Sequence, residues 1–195
     1  MRNVILSVGM VIALAPVAVP RTTHDAPRLE AQTTSDAQVL ADFQMRVQQY
    51  VEVHRRLEGP VPTVAVSEDW AEIKAAIEAL ATEIRAARTH ARRGDIFTPD
   101  IERLFRRRIR ECLEGCNIEE LLATLNEENP PDLVLTPRVN GRWPEEASLG
   151  PMPPKLLAGL PPLPDELQYR FMNRDLVLWD VHANVVVDLI KRAMP

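Results

Sequence analysis

Apolar side chains recur every three or four residues along the first two thirds of the chain, a spacing typical of helices with one buried face. Gly59, Pro60 and Pro62 separate the first such segment from the second. In the segment from Ser35 to Leu57 the inward positions are Leu40, Phe43, Val47, Tyr50, His54 and Leu57. In the second, which Ser67 would cap, they are Trp70, Ile73, Ile77, Leu80, Ile84, Ala87 and Ala91. The pattern predicts an antiparallel helix pair with packing like that of a coiled coil.

Two more helices are predicted before the prolines become frequent. Thr98 and Pro99 suit the cap and first position of a third helix, whose inward residues are Ile101, Leu104, Phe105, Ile109 and Cys112. Asn117 and Glu120 form a pair like a capping box at the start of a fourth, whose buried residues are Ile118, Leu121, Leu122 and Leu125. Residues 32–129 therefore predict a helical bundle of about four helices.

Prolines are frequent in the next part of the chain, and apolar and polar residues alternate in the last part. Ten of the 17 prolines lie between Pro130 and Pro164, so we expect residues 130–165 to wrap around the rest of the protein. From residue 166 the period changes to two, which predicts a β element over residues 166–195, packed on the bundle. The expected fold class is mainly α, with a small C-terminal β-hairpin or three-stranded sheet.

The hairpin has a predicted register. With Asn173 and Arg174 as turn residues, the opposed pairs are Phe171 with Leu176, Tyr169 with Leu178, and Leu167 with Asp180. Because a strand from Leu176 to Ile190 would be unusually long, we expect a break at Ala183 and Asn184 and a third strand containing Asp188. Both faces of the hairpin carry apolar residues, so both should be covered, one of them by the proline-rich segment.

The N-terminus predicts export. A short basic start precedes an apolar run from Val4 to Val19 that prolines end before it could span a bilayer. Residues 1–31 are therefore interpreted as a signal peptide and leader, with cleavage after Ala18 or Ala31. We expect a soluble protein of the periplasm or the medium, without a transmembrane span.

The two cysteines, Cys112 and Cys116, lie four residues apart near a predicted helix end. In an exported protein such a pair favours a disulfide, and Gly115 offers the left-handed residue that the turn needs. Zinc ligation would require two more ligands at matching spacing, which the neighbouring sequence lacks.

Charge is strongly polarised around this point. Residues 85–110 carry a net charge of +6, residues 111–146 carry −7, and the whole chain carries −5. The mildly acidic total argues against a nucleic-acid binder. The basic helix could present an anion-binding face to a membrane surface, a polymer or an acidic protein, or its arginines could pair with the acidic block. The face comprises Arg103, Arg106, Arg107 and Arg110.

Asp180, His182 and Asp188 are the candidate metal ligands, since two residues two apart on one strand face can reach the same ion. The competing interpretation is structural. Because Asp180 and His182 continue the apolar face of the hairpin, we expect a mutual or backbone hydrogen bond to hold the hairpin end, without a metal or other cofactor. His54, on a helix seam, is interpreted as a hydrogen-bonded core histidine.

The phrases "LPPLPDELQYRF", "RDLVLWDVHANVVVDLI" and "ARRGDIFTP" resemble those of a group of exported bacterial proteins without an established activity. The resemblance covers most of the chain after the leader. It implies one secreted domain and transfers no functional residue.

These observations favour a non-enzymatic exported domain that acts in binding or assembly with an envelope protein or polymer. There are two alternatives. One is a metal-assisted hydrolase that uses Asp180, His182 and Asp188, and the other is a binder of anionic membrane surfaces through the face between Arg85 and Arg110. No glycine-rich phosphate loop or GxSxG nucleophile motif supports another enzyme class.

Export has a direct test. Because a signal peptide is removed on translocation, the intact mass of protein recovered from a bacterial periplasm or medium should lack the first 18 to 31 residues. Recovery of only the full-length chain from the cytosol would contradict the prediction.

Overall fold

The computed structural model describes residues 26–59, 69–127, 136–144, 147–148 and 150–195, with the backbone alone for 26–34. Over these residues the chain forms five helices and a three-stranded antiparallel sheet. The helices are α1 (Ala26–Glu58), α2 (Trp70–Ala87), α3 (Pro99–Cys112), α4 (Ile118–Leu125) and α5 (Pro154–Gly159). The strands are β1 (Leu167–Met172), β2 (Asp175–Asp180) and β3 (Val185–Ile190). None of the described helices is both long and apolar enough to cross a membrane.

The helix starts follow local capping chemistry. Asp69 caps α2 by accepting the backbone N–H of Ala71, whereas the predicted cap, Ser67, lies outside the described residues. Pro99 occupies the first turn of α3, where its missing N–H costs nothing. Asn117 caps α4 as predicted, accepting the backbone N–H of Glu120. The prediction that Trp70 is buried was wrong: it is 72% exposed, because the buried face of α2 begins only at its C-terminal half with Leu80, Ala81 and Ile84.

The predicted hairpin register is confirmed. Leu167 lies opposite Asp180, Tyr169 opposite Leu178, and Phe171 opposite Leu176. The break before the third strand is also confirmed, since β2 ends at Asp180 and β3 begins at Val185. Asn184 holds a positive φ of 50°, a conformation that asparagine tolerates better than most residues.

Apolar residues cover both faces of the sheet. One face continues into the helical core, which includes Phe43, Phe105, Tyr169, Leu178 and Val187. On the other face, Trp143 and Ala147 of the proline-rich segment join the second cluster, which also contains Val177, Trp179 and Val186. Helices and sheet thus share one core, so the expected mainly α bundle gives way to a mixed architecture, about half helical.

Two local expectations in the middle of the chain need correction. The proline-rich segment contains α5, which Pro153 and Pro154 start and which buries Leu156 against α3. The predicted disulfide is not formed. Cys112 is half-buried against the core, and its Sγ lies 2.5 Å from the point where a Cβ on Gly159 would stand, whereas Cys116 is exposed. The Cys112 sulfur thus packs towards α5, and both cysteines are free thiols.

Asp188 fixes the loop between α2 and α3 to the sheet. Its buried carboxylate accepts the backbone N–H groups of Gly94 (3.0 Å), Ile96 (2.8 Å) and Phe97 (2.8 Å), and also that of Leu189 (2.8 Å). Burial raises the pKa of Asp188, and the four N–H groups offset only part of that effect. The carboxylate thus replaces the missing secondary-structure partners of a buried loop.

We predict that Asp188→Asn destabilises the protein. In the native protein four backbone N–H groups donate to the Asp188 carboxylate. The asparagine amide would place its NH₂ group against some of these donors, which would then lack an acceptor. Each buried donor without an acceptor costs about 1–3 kcal/mol. Urea unfolding should therefore show a loss of at least about 2 kcal/mol, while Asp100→Asn at an exposed position of α3 should stay within about 0.5 kcal/mol. Equal stability of the two variants would show that Asp188 does not anchor the loop.

Candidate metal centre

A fully buried carboxylate, that of Asp180, closes β2 at its last position. Its Oδ1 accepts the backbone N–H groups of His182 (3.1 Å) and Ala183 (2.9 Å), which shapes the turn into β3. Its Oδ2 accepts hydrogen bonds from α1, from the Tyr50 hydroxyl at 2.5 Å and from Nδ1 of His54 at 2.6 Å. Asp180 therefore joins α1 to the sheet through four donors.

Tyr50 supports this carboxylate as a permanent donor. Burial raises the pKa of Tyr50 well above its usual range, and the charge of Asp180 raises it further. The phenol therefore keeps its proton and donates a hydrogen bond to Asp180. The guanidinium of Arg88, the residue that caps the C-terminus of α2, lies over the Tyr50 ring, 4.9 Å from its centroid.

His54 lies fully buried between two carboxylates. Its Nδ1 faces Asp180, and its Nε2 lies 3.2 Å from Oε2 of Glu58, one helical turn further along α1. Burial alone would lower the pKa of His54, but the hydrogen bond and charge of Asp180, together with Glu58, outweigh burial and raise it. The contact with Asp180 fixes the ring so that Nε2 points towards Glu58.

His182 completes the cluster from the turn between β2 and β3. Its Nδ1 lies 3.0 Å from Oε1 of Glu58, and its ring centroid lies 5.4 Å from that of His54. Ligand atoms of His54, Glu58 and His182 all lie within 4.8 Å of one another. The side chains of Glu58 and His182 are 41% and 40% exposed, so solvent reaches the centre from one side.

Two imidazoles and one carboxylate form a donor set that binds divalent transition metals. Zinc sites with two histidines and a glutamate leave one position open for water or substrate, and non-haem iron uses a similar triad. A ligating histidine usually donates its other ring N–H to a carboxylate, which fixes the tautomer. Asp180 is such a carboxylate, because it accepts the hydrogen bond of Nδ1 of His54 and leaves Nε2 for a metal ion.

Glu166 is a second buried carboxylate close to this centre. Its Oε1 accepts from Nε of Arg55 at 2.5 Å, while its Oε2 is buried without a hydrogen-bond partner among the described residues. Burial acts to raise the pKa of Glu166, but Arg55 and the nearby charge of His54 outweigh it and hold the pKa below its usual value. The backbone carbonyl of Glu166 also accepts the N–H of Val181, beside Asp180.

Of the three metal ligands considered from the sequence, only His182 belongs to the cluster. Four protein donors occupy the oxygens of Asp180, and four backbone N–H groups occupy those of Asp188. The expected hydrogen bond at the hairpin end exists, but it uses the backbone N–H of His182 rather than its ring. The imidazole instead contacts Glu58.

Sequence patterns did not identify His54 and Glu58 as partners of His182. The available signal was that His54 is the only polar residue apart from Tyr50 on an otherwise apolar seam, with an acid four residues later. His54 is indeed a hydrogen-bonded core histidine, as expected. Only the packing of α1 on the sheet reveals that His54 and His182 both contact Glu58.

Three of the four arginines of the proposed anion-binding face pair with carboxylates of the same molecule. Arg103 pairs with Asp100, and Arg106 with Glu102, both on α3. Arg107 pairs with Asp36 of α1 at 2.5 Å. Among the described residues of the acidic block after residue 110, Glu111 alone pairs with an arginine of the face, at 3.9 Å from Arg107. Acids one helical turn away on α3 lie closer to these arginines.

No family model, curated protein or solved structure matches this chain. The candidate centre therefore depends on geometry and chemistry alone.

We predict that the Asp180 network contributes strongly to stability. Asp180→Asn removes a buried charge that four donors surround, so it should lower the free energy of unfolding by about 3–5 kcal/mol. Tyr50→Phe removes only one donor to that charge and should cost about 1.5–3 kcal/mol.

Urea unfolding at neutral pH measures both losses. Glu119→Gln, at an exposed acid that pairs with Arg174, is the control and should change stability by less than about 0.5 kcal/mol. An Asp180→Asn variant as stable as this control would contradict the structural role of Asp180.

Proposed function

We propose that this protein binds one divalent transition-metal ion through His54, Glu58 and His182. The observation that carries the proposal is the convergence of three ligand atoms within 4.8 Å from two distant parts of the chain. The exported binding domain that the sequence predicts would then have a metal ion as its ligand. Asp180 would orient His54 and increase its basicity as a ligand.

The two carboxylates that face His54 support a metal ion at this site. In the metal-free protein both ring nitrogens of His54 face carboxylates, an arrangement that favours the imidazolium. A metal ion can replace the proton on Nε2, because Glu58 then neutralises the metal while Asp180 continues to accept from Nδ1. The negative charge that attracts a proton would also attract a metal cation.

Zinc is the first metal to test, because two histidines and a glutamate match its preferred donors, and iron(II) is the second. Three protein ligands leave at least one coordination position for water. Because a metal-bound water could act as a nucleophile, metal-assisted hydrolysis is a second candidate function. Its ligands would be His54, Glu58 and His182 rather than Asp180, His182 and Asp188. The exposure of Glu58 and His182 favours it, since a small molecule could approach from solvent.

Binding to an anionic membrane surface has less support. Three of the four arginines of the proposed face already have carboxylate partners within the protein. Paired, partly exposed arginines attract an external anion less strongly than free ones.

Metal titration tests the proposal. Calorimetry with Zn²⁺ should show one equivalent bound, and elemental analysis of the purified protein should find about one metal per chain. Free metal at about 100 times the Kd stabilises a folded protein by about 2.7 kcal/mol, so the Tm should rise by about 5–10 °C.

Variants locate the site. His182→Ala and Glu58→Gln should each weaken Zn²⁺ binding by at least about 10–100-fold. Loss of a residue that only hydrogen-bonds to a metal ligand already has an effect of that size, and loss of a ligand should have at least as large an effect. Both residues are about 40% exposed, so these variants should fold. His90→Ala is the matched control, since His90 is an exposed histidine outside the cluster, and its affinity should equal that of the wild type. No binding of Zn²⁺, Mn²⁺ or Fe²⁺, or equal losses in His90→Ala, would refute the proposal.

A further inference from the structure

A cavity of about 440 Å³ lies between β1 and the segment that includes α5 and the prolines after it. Its volume falls within the usual range of small-molecule sites, about 300–1,000 Å³. None of the metal-centre residues lines it. The side towards the proline-rich segment is formed by Met152, Leu157, Ala158, Leu160, Pro161, Pro162 and Leu163.

The apolar wall offers a potential ligand few hydrogen-bonding groups. Pro161 and Pro162 lack N–H donors, and the carbonyl of Pro161 already accepts the Tyr169 hydroxyl at 3.1 Å. Burial raises the pKa of Tyr169 far above its usual range, so this hydroxyl stays a neutral donor committed to Pro161. Leu157 is 52% exposed, a large fraction for a leucine next to a cavity. This wall suits a hydrocarbon group.

Arg170 gives the opposite wall a positive charge. Among the described residues its guanidinium has one hydrogen-bond partner, the neutral side chain of Gln168 at 2.6 Å, and its Nε is buried without any. Burial lowers the pKa of Arg170, and no carboxylate among the described residues counteracts that effect. By contrast, Arg103, Arg106 and Arg107 all have carboxylate partners. A half-buried arginine without a counter-ion is costly and provides a place for an anion.

We propose that this cavity binds an amphipathic carboxylate, with the hydrocarbon part against the proline-rich wall and the carboxylate on Arg170. A planar guanidinium binds a carboxylate through two parallel hydrogen bonds, which gives both charge and orientation. An uncharged analogue would lose this pairing, and a cationic one would be repelled. The site uses none of the metal-centre residues, so it is independent of metal binding.

Comparison of three ten-carbon probes tests the charge requirement on the wild-type protein. Decanoate, decanol and decyltrimethylammonium share the hydrocarbon chain and differ in the head group. In calorimetry below micelle-forming concentrations, decanoate should bind one site saturably, decanol at least about tenfold more weakly, and the cation not measurably. Equal affinity for decanoate and decanol, or no saturable binding of decanoate, would overturn the proposal.

Substitution tests the residue. Arg170→Gln should weaken decanoate binding at least about tenfold while leaving decanol binding unchanged. Arg103→Gln, at an exposed arginine of α3, is the matched control and should bind decanoate like the wild type. His182→Ala should also bind it normally, which separates this site from the metal centre. Unchanged decanoate binding in a folded Arg170→Gln protein would overturn the assignment, and if that variant does not fold, the probe comparison decides.

Discussion

The buried carboxylate of Asp180 is the constraint on which the rest of the structure depends. An isolated charge in the core would cost several kcal/mol, so it persists only because four donors surround it. Two of those donors are backbone N–H groups of its own turn, and two are side chains of α1. The position of α1 relative to the sheet is therefore fixed by directional hydrogen bonds as well as by apolar contacts.

Asp188 performs a similar task on β3, where it lies opposite Leu178 of β2. It binds the loop before α3 through backbone N–H groups, as Asp180 binds α1 through side chains. Apolar packing is not directional, and a small three-stranded sheet could slide under its helices. The two buried aspartates prevent such sliding: Asp180 of β2 sets the position of α1, and Asp188 of β3 sets that of the loop.

The proposed metal centre follows from this arrangement. Since Asp180 orients the His54 ring, Nε2 faces the gap between α1 and the turn, where His182 approaches Glu58. The buried part of the centre is thus rigid, whereas Glu58 and His182 remain partly exposed. Such a combination provides fixed ligands on one side and access for an exchangeable ligand on the other.

Local chemistry in the sequence determined most of the elements. Helical periodicity predicted α1 to α4, Pro99 and Asn117 marked two helix starts, and the turn at Asn173 and Arg174 set the strand register, because these features depend on residues close in sequence. The α5 helix escaped detection, since a helix of six residues amid prolines has too short a pattern to recognise.

Only the tertiary structure decided how distant residues meet. His54 and Glu58 lie on α1 and His182 lies far along the chain after β2, and no local pattern encodes that pairing. The same is true of the loop whose N–H groups bind Asp188 and of the packing of Cys112 against Gly159 of α5. Secondary structure depends on neighbours in the chain, but a site formed by two separate segments depends on how their faces pack, which residue spacing does not contain.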